Sequence, residues 1–309
     1  MYDVIIIGAG PAGLTAGLYA ARANMKTLIL EKEGVGGLIA QTADVANMPG
    51  SIPDATGPAL VARMEEQAKS FGAEIRIETV QGFRLEDGVK IVEGEKEEYA
   101  AKTVILAVGA QPRKLNVPGE AEFTGKGVGY CATCDGAFFS GLDIYTVGGG
   151  DTACEESIFL TKFAKKVTMI VRRGELRAAK SIQDKVFANE KIEVMWNSSI
   201  TKFEGQGLLG AIEVTNSQTG EVTRITPDEG DMTFGVFIFA GYIPDTKPFE
   251  GIVDMERGYI PTDVQMRTNI SGIYAAGDCR VKQLRQVVTA TSDGAIAAVE
   301  AEKFIEENA

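Results

Sequence analysis

Two short turns with the same glycine spacing constrain this chain more than any other feature. The first follows a β-branched run, Val4 to Ile7, and places Gly8, Gly10 and Gly13 in the pattern G-x-G-x-x-G. An Ala/Leu-rich stretch with helical character comes next, then a second apolar strand, Thr27 to Leu30, ending in Glu31. The second turn follows Ile144 to Val147 and reads Gly148-Gly149-Gly150-Asp151-Thr152-Ala153, with Ala153 at the third glycine position; a helix and the strand Val167 to Val171 come after it. Each glycine has its own geometric job: the first permits a tight turn, the second lets backbone N–H groups approach a pyrophosphate, and the third lets the helix pack close to the strand. The N-terminus of the following helix adds partial positive charge for the phosphates. The expected fold class is therefore α/β, with two Rossmann-like dinucleotide-binding domains.

The charge at the end of each second strand separates the two turns. Glu31 lies about 20 residues past the first turn, where an acid takes a ribose hydroxyl. The second strand of the other unit leads instead into Arg172 and Arg173, with Arg177 a turn later. Guanidinium groups chelate a 2′-phosphate that an acid would repel, so the second site is expected to take NADPH rather than NADH. A solvated basic turn is the plainer reading of the same arginines. Two dinucleotide sites imply electron passage between two nucleotides. One is expected to be a flavin, because nicotinamide alone does not readily reduce a disulfide.

Between the turns lies Gly129 to Phe139, GYCATCDGAFF, with Cys131 and Cys134 two residues apart and Asp135 directly after them. A zinc site would need two more ligands; the chain has no histidine, and Cys154 and Cys279 are isolated. Two inert buried thiols are a second reading. The third is a redox dithiol, in which one sulfur attacks and the other resolves. Its position between two dinucleotide turns favours that reading, with Asp135 able to hold or give the proton that histidine often carries. Cys154 and Cys279 read as structural thiols.

Lys102 to Glu120 and Phe234 to Thr246 are similar exits, each an apolar strand followed by Gly and Pro punctuation, so one domain is expected to be inserted into the other. Near the C-terminus, Gly272 to Arg280 forms a strand ending at Gly277-Asp278 before a long helical stretch, and Asp278 is placed to accept from flavin ribityl hydroxyls. Lys162, Lys165 and Lys166 read as a solvated helix face. With 309 residues, 45% of them apolar, the chain can build a sizeable core without disulfide staples. Its net charge of −12 argues against nucleic acid and anionic membrane surfaces as partners. The short N-terminal apolar run reads as a buried strand rather than a leader, and no window is long enough to span a membrane, so a cytoplasmic location is expected.

The segments GAGPAGLTAGLYAAR, YCATCDG, GGGDTACEE, VRRGELRA, AAGD and RQVVTA together resemble the low-molecular-weight thioredoxin reductases over nearly the whole chain. The resemblance implies FAD over 1–112 and 245–309, NADPH over 115–243, a homodimer, and thioredoxin as the partner. It implies that Cys134 is the sulfur nearer the flavin, that Asp135 protonates the reduced pair, and that Cys131 attacks thioredoxin. Asn47, Asp278, Arg285 and Gln286 correspond to flavin contacts. Two positions depart from the family: Leu38 stands where a glutamine is usual, and Val171 where a histidine is usual. Some relatives take electrons from ferredoxin and have lost the glycine turn and the arginines that this chain keeps. A related flavoprotein acting on another dithiol partner, or a non-catalytic redox sensor, would share the same fold.

Overall fold

The structure, a computed structural model, describes residues 1–41, 45, 47–52, 56–86 and 88–308. The chain divides into two compact units: Met1–Gln111 together with Ile243–Ala309, and Pro112–Tyr242 inserted between them.

The first unit opens with β1 (Tyr2–Ile7), α1 (Pro11–Arg22) and β2 (Thr27–Glu31), followed by α2 (Gly57–Ser70) and β3 (Glu74–Ile77). An antiparallel meander, β4 (Val80–Glu86), β5 (Val89–Gly94) and β6 (Glu98–Leu106), returns the chain to the sheet, and β7 (Ala110–Pro112) leads out. Val4–Ile7 of β1 and Leu28–Leu30 of β2 are apolar and buried on both faces, the composition of strands inside a parallel sheet. The order is β3-β2-β1-β6-β5-β4, with β1 parallel to both β2 and β6. The strand order therefore reverses between β1 and β6, and the crevice at such a reversal is where open α/β sheets bind ligands.

The inserted unit carries α3 (Glu120–Phe123), β8 (Val128–Gly129), α4 (Ala132–Asp135), β9 (Asp143–Val147), α5 (Asp151–Leu160), β10 (Lys166–Val171), α6 (Lys180–Phe187) and β11 (Ile192–Trp196). A second meander, β12 (Ser198–Gln206), β13 (Leu208–Asn216) and β14 (Val222–Ile225), precedes β15 (Gly235–Ile238). Its main sheet is wholly parallel, in the order β11-β10-β9-β15-β8, again reversing beside the first strand, here between β9 and β15. The chain leaves through β16 (Tyr242–Pro244), which pairs with β7. It then re-enters the first unit, where β17 (Ile273–Ala275) adds to β6 in parallel and α7 (Val287–Glu307) closes the fold.

The three lysines expected on one helix face are not on a helix. Lys162 lies beyond α5 with its ammonium 4.8 Å from the Phe159 ring, Lys165 pairs with Asp228, and Lys166 begins β10 and pairs with Glu193 at 2.7 Å. α5 ends at Leu160, so the charge run spans a turn and a strand start.

Candidate functional site

In the first unit, Gly8 sits between β1 and α1 with φ +107°, and a Cβ there would collide with the carbonyl of Ala107, just past β6. A Cβ on Gly13 would collide with the Gly8 carbonyl, so the helix can approach the turn only with hydrogen at that position. Gly10 caps α1 and faces open space: a Cβ there would meet nothing nearer than the Gly36 carbonyl oxygen at 4.0 Å. The Glu31 carboxylate turns inward: one oxygen accepts from the Ala9 N–H at 2.7 Å and the other from the Glu33 N–H at 3.2 Å. It therefore braces the glycine turn against the end of β2, and each oxygen keeps a lone pair for a ribose hydroxyl.

Packing of α7 on α1 brings the C-terminal residues to this turn. A Cβ on Gly277 would lie 2.9 Å from the Ala12 Cβ, and one on Gly294 would strike the Ala12 carbonyl. The next residue after Gly277, Asp278, has a buried Oδ1 with no hydrogen-bond partner among the described residues. Burial raises its carboxyl above the ordinary aspartate range, with Lys282 and Arg285 opposing. A buried acceptor without a donor calls for one from outside the chain, and the hydroxyls of a flavin ribityl chain are of that kind. Arg285 donates to the Asp278 carbonyl at 3.3 Å and lies over the Tyr259 ring at 4.4 Å. Gln286 caps α7, and its side-chain oxygen accepts from the Asn47 amide at 3.0 Å. The glycine turn with Glu31, and the C-terminal group of Asp278, Arg285 and Gln286 with Asn47, thus belong to one unit, and together Gly8, Gly10, Gly13, Glu31, Asn47, Asp278, Arg285 and Gln286 fit FAD. Leu38, half-buried in the 3-10 turn Gly37–Gln41, follows Gly37, whose Cβ position would lie 3.4 Å from the Gly10 Cα.

The inserted unit repeats the construction. Gly148 has φ +146°, and a Cβ there would lie 2.7 Å from the carbonyl of Phe239, just past β15. Ala153 is fully buried against Gly148, and Gly150 caps α5 with open space around it. Val171 is buried under Gly149, its Cγ1 3.0 Å from the position a Cβ would take. The unusual valine is therefore part of the floor of the turn. The Arg177 N–H donates to the Gly149 carbonyl at 2.7 Å, binding the basic loop to the glycine turn. Arg172, Arg173 and Arg177 are exposed and have no ion-pair partner among the described residues. Three unpaired guanidiniums beside an open helix N-terminus fit a 2′-phosphorylated dinucleotide.

Cys131 and Cys134 are joined in a disulfide, Cα to Cα 5.3 Å. Cys131 caps α4 and Cys134 lies within it, with the Thr133 hydroxyl 3.3 Å from the Cys131 sulfur. Burial holds the Asp135 carboxyl at about 6, far above the ordinary aspartate value. Its Oδ2 would lie 3.1 Å from a Cβ on Gly129, and the Phe237 ring crowds the same spot, so only glycine leaves room for the carboxyl here. A Cβ on Gly136 would lie 2.8 Å from Leu160, which fixes the end of the motif against α5. Cys154 and Cys279 are buried free thiols, each pushed up to about 11 by burial, and so are poor thiolate donors at neutral pH.

Two features have no counterpart in the sequence analysis. Glu120, buried in α3, accepts from the Leu115 N–H (2.9 Å), the Asn116 N–H (2.6 Å) and the Tyr130 hydroxyl (2.8 Å). The Tyr242 hydroxyl donates to the Tyr130 carbonyl at 3.1 Å, so the residue before Cys131 is held at both its side chain and its backbone. No local pattern marks these contacts, which join residues up to 112 positions apart. The second is Asp293 on α7, whose Oδ2 takes Arg280 (2.8 Å), Lys282 (2.7 Å) and the Gly277 N–H (3.0 Å). A signal for it was present: an acid on the small apolar stripe of Ala290, Gly294, Ala297 and Ala301. Among the described residues no group of acids and cysteines could hold a metal ion, and no helix is long and apolar enough to cross a membrane.

The family model described as pyridine nucleotide-disulphide oxidoreductase matches residues 2–294. The thioredoxin reductase of Peptoclostridium litorale is 57% identical, over 99% of this chain and 98% of that protein. The thioredoxin reductase of Bacillus subtilis (strain 168) is 46% identical, over 99% and 96% respectively. Among solved structures, the crystal structure of thioredoxin reductase from Streptococcus pyogenes MGAS5005 is 44% identical, covers 99% of both chains and superposes with a TM-score of 0.92.

Proposed function

We propose that this chain, which belongs to the pyridine nucleotide-disulphide oxidoreductase family, is a thioredoxin-disulfide reductase that draws electrons from NADPH and delivers them through Cys131 and Cys134. The unit built from both chain ends holds FAD and the inserted unit holds NADPH. The observation that carries the reading is the Cys131–Cys134 disulfide with a half-buried Asp135 beside it, its carboxyl raised to about 6, on the unit that also carries the unpaired arginines.

When bound, FAD supplies a two-electron relay between the nicotinamide and the disulfide. Two electrons entering the disulfide break the S–S bond and leave two anionic sulfurs. Asp135, protonated up to about 6, gives its proton to one of them, so that the site does not hold two thiolates at once. The Thr133 hydroxyl beside Cys131 can donate to a thiolate there, which favours Cys131 as the sulfur that stays ionised and attacks the disulfide of thioredoxin. With the second thioredoxin sulfur released as a thiolate, Cys134 returns its proton to Asp135 and attacks the Cys131 sulfur of the mixed disulfide. The Cys131–thioredoxin bond breaks, the intramolecular disulfide is restored, and reduced thioredoxin leaves, its thiolates taking protons from water.

The exposed, unpaired Arg172, Arg173 and Arg177 favour NADPH over ferredoxin as donor. A homodimer in the cytoplasm belongs to the same proposal, and sedimentation of the FAD-loaded protein tests the dimer.

Asp135→Asn tests the proton step. In the FAD-loaded variant, NADPH should bleach the flavin absorbance at the unsubstituted rate, while NADPH-driven reduction of thioredoxin should slow by roughly 10²-fold, the lower end of what a general acid contributes. Equal thioredoxin turnover in the two proteins would remove Asp135 from the mechanism.

A further inference from the structure

β10 and β11 are parallel neighbours in register, Val171 opposite Trp196. The first residues past these strands, Arg172 and Asn197, therefore emerge side by side, at the same end of the sheet as the glycine turn after β9. Asn197 is fastened there by its backbone. Its N–H donates to the Arg173 carbonyl at 3.1 Å, and its own carbonyl accepts from the Ser217 N–H at 2.7 Å and the Ser217 hydroxyl at 3.1 Å. The clasp ties the basic loop to the turn between β13 and β14.

The side chain of Asn197 is not consumed by that clasp. Its amide lies over Gly174, with Oδ1 3.5 Å and Nδ2 3.8 Å from the position a Cβ would take there. It makes no hydrogen bond to any described residue and is half-buried. A half-buried carboxamide presents two N–H donors and an acceptor oxygen. It stands against the residue between Arg173 and Glu175, inside the loop that carries three unpaired guanidiniums.

We infer that Asn197 is a specificity-determining residue of the dinucleotide site, its amide donating to the 2′-phosphate that Arg172, Arg173 and Arg177 hold by charge. This rests on the NADPH reading above and deepens it. Arginine loops supply charge, and a neutral donor fixed by its backbone adds direction, its N–H bond being stronger to an ionised phosphate oxygen than to a neutral hydroxyl at the same point.

A backbone explanation for the same residue makes a different prediction. Asn197 has φ +52°, in the left-handed region that asparagine tolerates better than most residues. If that were its whole role, glycine would replace it without effect on ligand preference. The test is calorimetric binding of NADP⁺ and NAD⁺ to the FAD-loaded protein, unsubstituted and as Asn197→Gly and Asn197→Asp.

Loss of one phosphate hydrogen bond should weaken NADP⁺ binding to Asn197→Gly by roughly 5- to 10-fold and shift NAD⁺ by less than about 2-fold. Asn197→Asp keeps the shape and the left-handed tolerance but sets a carboxylate before the phosphate, so it should weaken NADP⁺ further and narrow or reverse the preference. A preference for NADP⁺ that is unchanged in both variants overturns the inference and leaves the NADPH reading standing. No preference for NADP⁺ in the unsubstituted protein overturns both.

Discussion

Asp135 has an ordinary value of 3.8 and titrates at about 6 in the fold because burial disfavours its charge. Between those two pH values the folded protein holds a proton that the unfolded chain has released, so this residue makes folding more favourable as pH falls from 6 toward 4. Above 6 the half-buried, desolvated carboxylate destabilises the fold by roughly 3 kcal/mol, the equivalent of about two pH units. Asp135→Asn, always neutral, should therefore be more stable than the unsubstituted protein at pH 7.5, with the difference shrinking toward zero near pH 4. Urea unfolding at several pH values measures it, and a difference independent of pH would mean that the carboxyl is not desolvated. A carboxyl whose proton affinity is raised beside a disulfide, and which weakens the fold when it ionises at neutral pH, is the trade expected of an active site. Its identity and neighbour were legible in CATCD. Its burial was not, because that depends on Gly129 and Phe237, brought to it by β8 and β15 from either side of the motif in sequence.

At the scale of elements, the apolar strands and glycine turns could be read from local pattern, and they lie where the spacing placed them, β1 and β10 each beginning earlier than the apolar run alone indicated. The two antiparallel meanders, β4–β6 and β12–β14, were not read, because their exposed faces break the apolar runs that mark the parallel strands. The contact of α7 with α1 depends on long-range placement in the same way. Beside it lies the buried triad of Arg280, Lys282 and Asp293, with side-chain exposures of 10%, 11% and 9%. Asp293→Ala would leave two nearly buried cations unpaired and release the Gly277 N–H, so it should destabilise the protein by roughly 3–5 kcal/mol. A change under about 1 kcal/mol in urea unfolding would show the triad to be solvated. Because Gly277 precedes Asp278, the same variant should also hold FAD more weakly.

Across the whole molecule, one construction is used twice. In each unit the first glycine of the turn abuts the carbonyl just past the strand on the other side of the order reversal, Gly8 on Ala107 and Gly148 on Phe239. The residues after the second strand then divide the work: Glu31 turns inward to brace its own turn, while Arg172, Arg173 and Arg177 stay free of ion pairs among the described residues. In the proposed mechanism, electrons entering from NADPH come to rest on Cys131 and Cys134 and leave from there to thioredoxin. Its most direct test is to add one equivalent of NADPH anaerobically to the FAD-loaded protein, quench with an alkylating reagent, and locate the labelled cysteines by peptide mapping before and after adding oxidised thioredoxin. Two labels are expected, on Cys131 and Cys134, that vanish when thioredoxin is added and reappear on its cysteines. Flavin reduction without label at those two positions, or label there that thioredoxin does not remove, would contradict it.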